Sequence, residues 1–292
     1  MTLTEFIQFI GAISGLLFVL SSMLAMGLSL TVPMIIKPLK NVSLVVRALL
    51  ANFVLVPILA YLILLVIPLE GSLGIGLIVL ACAAGAPFLP KLVQGAKGDV
   101  AFGVGLMVML MVVTIFYLPI VLPLLLEGVQ VDPWAIAQSL IVTMLVPLVI
   151  GLLIKSHSPD AADHWGPVMN KISSLTILVL LVVGLGLNAS NILGLIGSGG
   201  LLALLIFIIG SLLIGFLLGG REGQVRSVMG LGTAQRNVAA AIVVSTQNFS
   251  GTDTITFVLV AAILLLLVLL PTARRLGARS EEQGEPVEPV AD

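Results

Sequence analysis

The chain has 292 residues, of which 59% are hydrophobic and 9% charged, with a mean hydropathy of +1.25 and a net charge of -1. Soluble domains carry roughly a quarter of their residues as charges, so a water-soluble globule is excluded and lipid is the remaining solvent for this surface. The near-neutral balance also excludes a nucleic-acid binder that works through a basic face.

In chain order, Met1 to Glu5 contains no basic residue, and the apolar run behind it is too long for a cleaved leader. It reads as a first membrane span, not a secretory signal. A spanning helix needs about 20 apolar residues, and such runs predict nine transmembrane helices. They are A at 6–34, B at 43–67, C at 72–96, D at 99–126, E at 134–154, F at 167–188, G at 200–219, H at 223–248 and I at 254–271. None alternates with the period of a barrel strand, so the fold class is an all-α polytopic membrane protein. The transmembrane unit covers 1–271. The remainder, 272–292, reads as a disordered cytoplasmic tail, acidic and proline-bearing from Ser280 onward.

Basic residues set the orientation. Lys37, Lys40, Lys97, Lys155, Lys171, Arg221, Arg226, Arg274, Arg275 and Arg279 fall at every second connection, and the connections between them carry no Lys or Arg. The positive-inside rule puts the N-terminus outside and the C-terminus in the cytoplasm, a pattern suited to a bacterial cytoplasmic membrane.

Cys82 lies in an apolar run and reads as a small core residue; His157 and His164 fall in one polar loop with no ligand-like partners. No metal site is expected. Met107, Met109 and Met111 read as gap-filling core. Glycines at 11, 15, 215 and 219 are helix-packing positions.

Two spans carry interruptions. In C, Gly85-Ala86-Pro87-Phe88-Leu89-Pro90-Lys91 places two prolines that each remove a backbone donor, predicting a break between Pro87 and Pro90. In H, Thr233, Gln235, Arg236 and Asn237 fall within five residues of an otherwise apolar helix. Arg236 lies about 18 Å along that span, near the bilayer midplane. A charge at that depth needs a cavity or a partner, and unwound backbone there must be buried in protein or line a cavity. Span C enters from outside and H from inside, so units A–D and F–I form an inverted repeat of the kind secondary transporters use, with E unpaired. Each break exposes a half-helix N-terminus that favours an anion.

Met26-Gly27-Leu28-Ser29-Leu30 at the end of A, Ala96-Lys97-Gly98-Asp99-Val100-Ala101 between C and D, and Gln235-Arg236-Asn237-Val238-Ala239-Ala240 in H resemble the bile acid:sodium symporter family. The resemblance runs over residues 10–271. It implies two inverted five-helix repeats lacking the first helix here, with panel and core bundles interleaved and two discontinuous helices crossing in the core. It also implies sodium-driven import of bile acids or keto acids. Carried over residue by residue, the family's sodium-binding Ser and Asn fall on Leu89 and Pro90. Its hydroxyl positions fall on Gly103 and Met107, its Glu on Gly232 and its Gln on Arg236; the Asn of the substrate crossing is retained as Asn237. The sodium site implied by the family therefore reads as degraded, and no other cofactor is expected. All fourteen acidic residues lie in loops, in the tail or at span ends.

The sequence thus points to a secondary transporter of a small organic anion, a keto-acid, bile-acid-like or other carboxylate, working by alternating access. Arg236 pairs with its charge, Gln235 and Asn237 donate hydrogen bonds, backbone near Ala86, Pro87 and Thr233 lines the crossing, and Lys91 supplies a second cation. One alternative keeps sodium coupling through backbone carbonyls and hydroxyls such as that of Thr233. Another is a non-transporting membrane sensor. An intramembrane enzyme is excluded, since no His, Asp or Glu lies inside the spans to serve as nucleophile, base or metal ligand.

Overall fold

The computed structural model describes residues 3–69, 71–126, 132–187, 195 and 197–282, and its regular structure is helical throughout. In order these are α1 (Leu3–Ser29), the short α2 (Val32–Ile36), α3 (Val42–Val66), α4 (Ser72–Cys82), α5 (Leu89–Gly95), α6 (Val100–Leu125), α7 (Pro133–His157), α8 (Pro159–Leu187), α9 (Gly200–Leu218), α10 (Gly223–Ala234), α11 (Val238–Asn248) and α12 (Thr254–Glu282). Seven of them, α1, α3, α6, α7, α8, α9 and α12, are long and apolar enough to cross a membrane by length and composition. The pairs α4–α5 and α10–α11 are each interrupted by a few unwound residues.

Local chemistry fixes the ends. Asp99 Oδ1 accepts the Phe102 N–H at 2.8 Å to start α6, which gives the Lys-Gly-Asp-Val-Ala link a physical role as a turn and N-cap. Asp132 caps α7 in the same way through Trp134 and Ala135. Helices α3 and α7 each contain a widened π turn, at Ala51–Leu55 and Ile141–Leu145, directly ahead of Pro57 and Pro147. A proline cannot donate to the preceding turn, and a π turn absorbs the misfit without ending the helix.

Helices α1, α7 and α8 pack into one layer, and the remaining long helices surround the two interrupted pairs. The first layer is held by close backbone approach: a Cβ on Gly27 would lie 2.3 Å from the Leu148 carbonyl oxygen, and one on Gly151 2.6 Å from that of Leu24. Outward faces are apolar, as at Val66 (81% exposed) and Leu217 (78%). Such patches in water would aggregate, and in lipid they are the solvated surface. Inside, Arg236 is the only buried charged side chain among the described residues.

The structure departs from the sequence expectation at several boundaries. Helix α8 begins at Pro159, so His157 and His164 sit on helices, not in a loop; both are exposed, and Lys155 pairs with Asp163 across the α7–α8 turn. Helix α12 continues through Pro271 to Glu282, where a tail was expected from 272. Its last turns are held by packing: Ala273 is buried, and a Cβ on Gly277 would lie 2.4 Å from the Gly95 carbonyl oxygen of α5. The expected tail over 283–292 lies outside the described residues, as do Glu70 and Glu127.

Candidate functional site

The first interruption falls earlier than the prolines predict. Helix α4 ends at Cys82, residues 83–88 are unwound, and α5 begins at Leu89 with Pro90 in its first turn. Proline is tolerated there because that N–H has no helical partner in any case. The break turns at Gly85, whose φ of +79° and contact with α6 exclude a side chain: a Cβ would lie 2.1 Å from the Met111 nitrogen. Thr114 of α6 holds the unwound strand by exchanging hydrogen bonds of 3.0 Å with both the N–H and the carbonyl of Ala84.

The second interruption, Gln235–Asn237, lies against the first. The Asn237 N–H donates to the Ala83 carbonyl at 2.8 Å, so the two unwound segments meet backbone to backbone. Asn237 then starts α11 by accepting the Ala240 N–H on Oδ1, while its Nδ2 is buried without a partner.

Arg236 locks this junction. Its Nε donates to the Leu80 carbonyl at 3.2 Å and Nη2 to that of Ala81 at 2.7 Å; Nη1 donates to Asn52 Oδ1 and to the Thr233 carbonyl, each at 2.9 Å. Three of these acceptors are last-turn carbonyls of α4 and α10, at the negative end of each helix dipole, and the Leu80 carbonyl also accepts the Ala83 N–H at 3.2 Å. A charge at mid-membrane costs at least about 2.5 kcal/mol. Hydrogen bonds to a charged group each return about 1.5–3 kcal/mol, so four of them offset a cost of this order. The guanidinium has no exposed surface. The sequence expectation set this charge against a ligand; the geometry gives it to the protein's own carbonyls. Asn52, which sequence reading passed over, sits in the π turn of α3 and donates to the Ala48 carbonyl (3.0 Å) and to Thr233 Oγ1 (3.3 Å). The sequence signal was there: a lone amide in an apolar span.

A cavity of about 290 Å³ opens beside the junction, between α1 and α8 on one side and the breaks and α12 on the other. It brings together Pro87, Lys91, Gln235 and the buried Arg236, but not Thr233 or Asn237. Lys91 is exposed within it, with its ammonium 5.7 Å from the Phe88 ring centroid. Gln235 is 5% exposed, and its Oε1 has no hydrogen-bond partner. Helix α8 contributes Asn170, Ser173 and Ser174, which the sequence reading did not pick out. Phe18, Ile177 and Leu181 make the rest of that wall apolar. The cavity combines an exposed cation, several uncharged polar groups and a hydrophobic wall, a composition that fits a small amphipathic anion.

The positions at which the family resemblance implies sodium ligands are filled with carbon. Leu89 and Met107 are each 1% exposed. A Cβ built on Gly232 would meet Leu106 at 2.9 Å and Leu89 at 3.1 Å, leaving no room for a carboxylate. Among the described residues no group of His, Cys, Asp and Glu could hold a metal ion.

A rice (Oryza sativa subsp. japonica) protein described as "Probable sodium/metabolite cotransporter BASS3, chloroplastic" is 25% identical over 195 residues, covering 66% of this chain and 46% of the relative. An Arabidopsis thaliana protein, "Probable sodium/metabolite cotransporter BASS1, chloroplastic", is 25% identical over 236 residues, covering 78% of this chain and 58% of its own length. The chain spans about half the length of the curated relatives it matches. The profile described as "Sodium Bile acid symporter family" matches residues 16–195, from α1 through α8, stopping short of the second break. With more than half of its length matched, the chain belongs to the sodium bile acid symporter family, a family of transporters and not of enzymes.

Proposed function

We propose that this chain is a secondary carrier of a small organic anion whose crossing is fastened by Arg236 instead of by sodium. The observation that carries the reading is the set of four hydrogen bonds from one buried guanidinium to the ends of both interrupted helices and to Asn52. A coupling ion at such a junction would need several oxygen ligands. Here the corresponding positions Leu89, Pro90, Gly103, Met107 and Gly232 carry no side-chain oxygen, and the Leu80, Ala81 and Thr233 carbonyls already accept from Arg236.

In this reading the anion lies in the cavity beside the junction. Lys91 pairs with its charge, Gln235 and the α8 serines take its polar groups, and Phe18 and Phe88 cover its apolar body. Counting each interrupted pair as one span gives nine, arranged as an inverted repeat around the junction, with the N-terminus outside a bacterial cytoplasmic membrane. The layer of α1, α7 and α8 rocks against the rest to expose the cavity alternately. The names of the relatives favour a second reading, in which sodium is coupled as in a conventional symporter.

Uptake of radiolabelled benzoate, pyruvate and cholate into proteoliposomes, with and without an inward sodium gradient, separates the two. Flux indifferent to sodium, with an apparent affinity about tenfold weaker in Lys91→Gln, is the expected result. Steep, saturable stimulation by sodium would overturn it in favour of the symporter.

A further inference from the structure

A second cavity, of about 530 Å³, lies along the same interface between α1 and α8 on one side and α11 and α12 on the other. Four helices pass both cavities, α1 and α12 running one way and α8 and α11 the other. On α1 the change from one to the other falls between Leu16 and Phe18, on α11 between Ile242 and Ala239, and on α12 between Leu259 and Ala262, while on α8 the two linings interleave, Leu181 facing one cavity and Leu180 the other. The step is two residues on α1 and three on α11 and α12, so the barrier is less than one turn thick. It is apolar: Leu180, Ile242 and Leu259 are buried, and the first two meet at Gly15, whose Cβ position lies 3.6 Å from Leu180 and 3.8 Å from Ile242. Those are ordinary contact distances. Gly15 is therefore a gap in the barrier and not a tight helix contact, unlike Gly27.

The two cavities differ in charge. The one beside the junction holds Lys91 and backs on Arg236. The residues lining the other are all uncharged, and Ser245 among them is fully buried with its Oγ unpartnered. With the N-terminus outside, the charged cavity faces the cytoplasm, since it flanks the later half of α1 and the early half of α8.

We infer that the two cavities are the inner and outer vestibules of one passage, closed at Gly15, Leu180 and Ile242, and that the passage loads its organic anion from the cytoplasmic side and lets it out. This rests on the sodium-independent reading above. An anion is held by a cation only in the inner vestibule and meets neutral hydroxyl and amide groups in the outer one. No described carboxylate is buried in the spans to bind a compensating cation, so each cycle moves the anion's own charge. The membrane potential, negative inside, then favours exit.

Two measurements test it. In wild type the sole cysteine, Cys82, is buried and serves as the blank. Ser174→Cys is expected to react with a membrane-impermeant maleimide from the cytoplasmic side only, and Thr246→Cys from the outside only. Reaction of both from one side, or the reverse pattern, overturns the passage or its polarity, and needs no substrate to do so. In oriented vesicles the half-saturating concentration of benzoate, pyruvate or cholate should be about tenfold lower at the cytoplasmic face, and Lys91→Gln should remove the difference. Efflux should accelerate when a potassium diffusion potential makes the loaded side negative, a bias worth about 50-fold in equilibrium distribution per 100 mV. Equal affinities on both faces, or sodium-independent flux that ignores the potential, overturns the exit reading alone. Sodium-driven flux, or none for any of the three acids, overturns the carrier reading beneath it.

Discussion

At the residue scale the protein turns on Arg236 and the amide that faces it. Removing the guanidinium leaves the Ala81 and Thr233 carbonyls and Asn52 Oδ1 without the donor they have here, and the Leu80 carbonyl with only the Ala83 N–H. Each orphaned group costs about 1–3 kcal/mol, so Arg236→Ala should destabilise the fold by about 3 kcal/mol or more even after relief of the buried charge. Asn52→Leu deletes one acceptor and should cost about 1–2 kcal/mol. Thermal unfolding in detergent, followed with a thiol-reactive dye on Cys82 at the end of α4, reads the junction directly. A smaller loss for Arg236→Ala than for Asn52→Leu would mean that the guanidinium does not fasten the breaks. The sequence made Arg236 conspicuous because charge at that depth is costly, but not which way it turned. The acceptors at Leu80, Ala81 and Asn52 are more than 150 positions away along the chain, and nothing local encodes them.

At the scale of elements, long apolar helices were legible because lipid demands the same run of about 20 apolar residues of each of them. Their ends were less so. Proline was read as the cause of the first break, whereas α4 stops at Cys82 because Gly85 turns the chain and Thr114 takes over its hydrogen bonds. A tertiary contact with α6 placed the break, and Pro90 merely starts the next helix. Gly85→Ala should therefore be more damaging than Pro87→Ala: it asks a side chain to take φ of +79° with Cβ on the Met111 backbone. A loss of about 3 kcal/mol or more is expected, seen as loss of the monodisperse peak in size-exclusion chromatography, with Pro87→Ala retaining it. Likewise α12 runs past its own hydrophobic span because Ala273 and Gly277 have α5 to pack on, which hydropathy alone does not encode.

At the scale of the whole molecule, two layers face each other across the cavities, and each must be stiff for one to rock against the other. Gly27 and Gly151 hold α1 to α7 backbone to backbone. Gly27→Leu should split that layer, lowering the unfolding temperature and abolishing flux together. A variant that kept both would show that the layer does not move as a unit. The thinness of the barrier between the cavities has an electrical consequence. If both vestibules conduct, the transmembrane voltage no longer falls over the roughly 30 Å of hydrocarbon but over the few ångströms, less than the 5.4 Å pitch of one turn, that separate Leu16 from Phe18. The local field is then at least about five times stronger than in bare bilayer. A rocking motion of one helical turn carries a bound charge through nearly all of it, so such a carrier would be a voltage-steered device despite having no voltage-sensing helix.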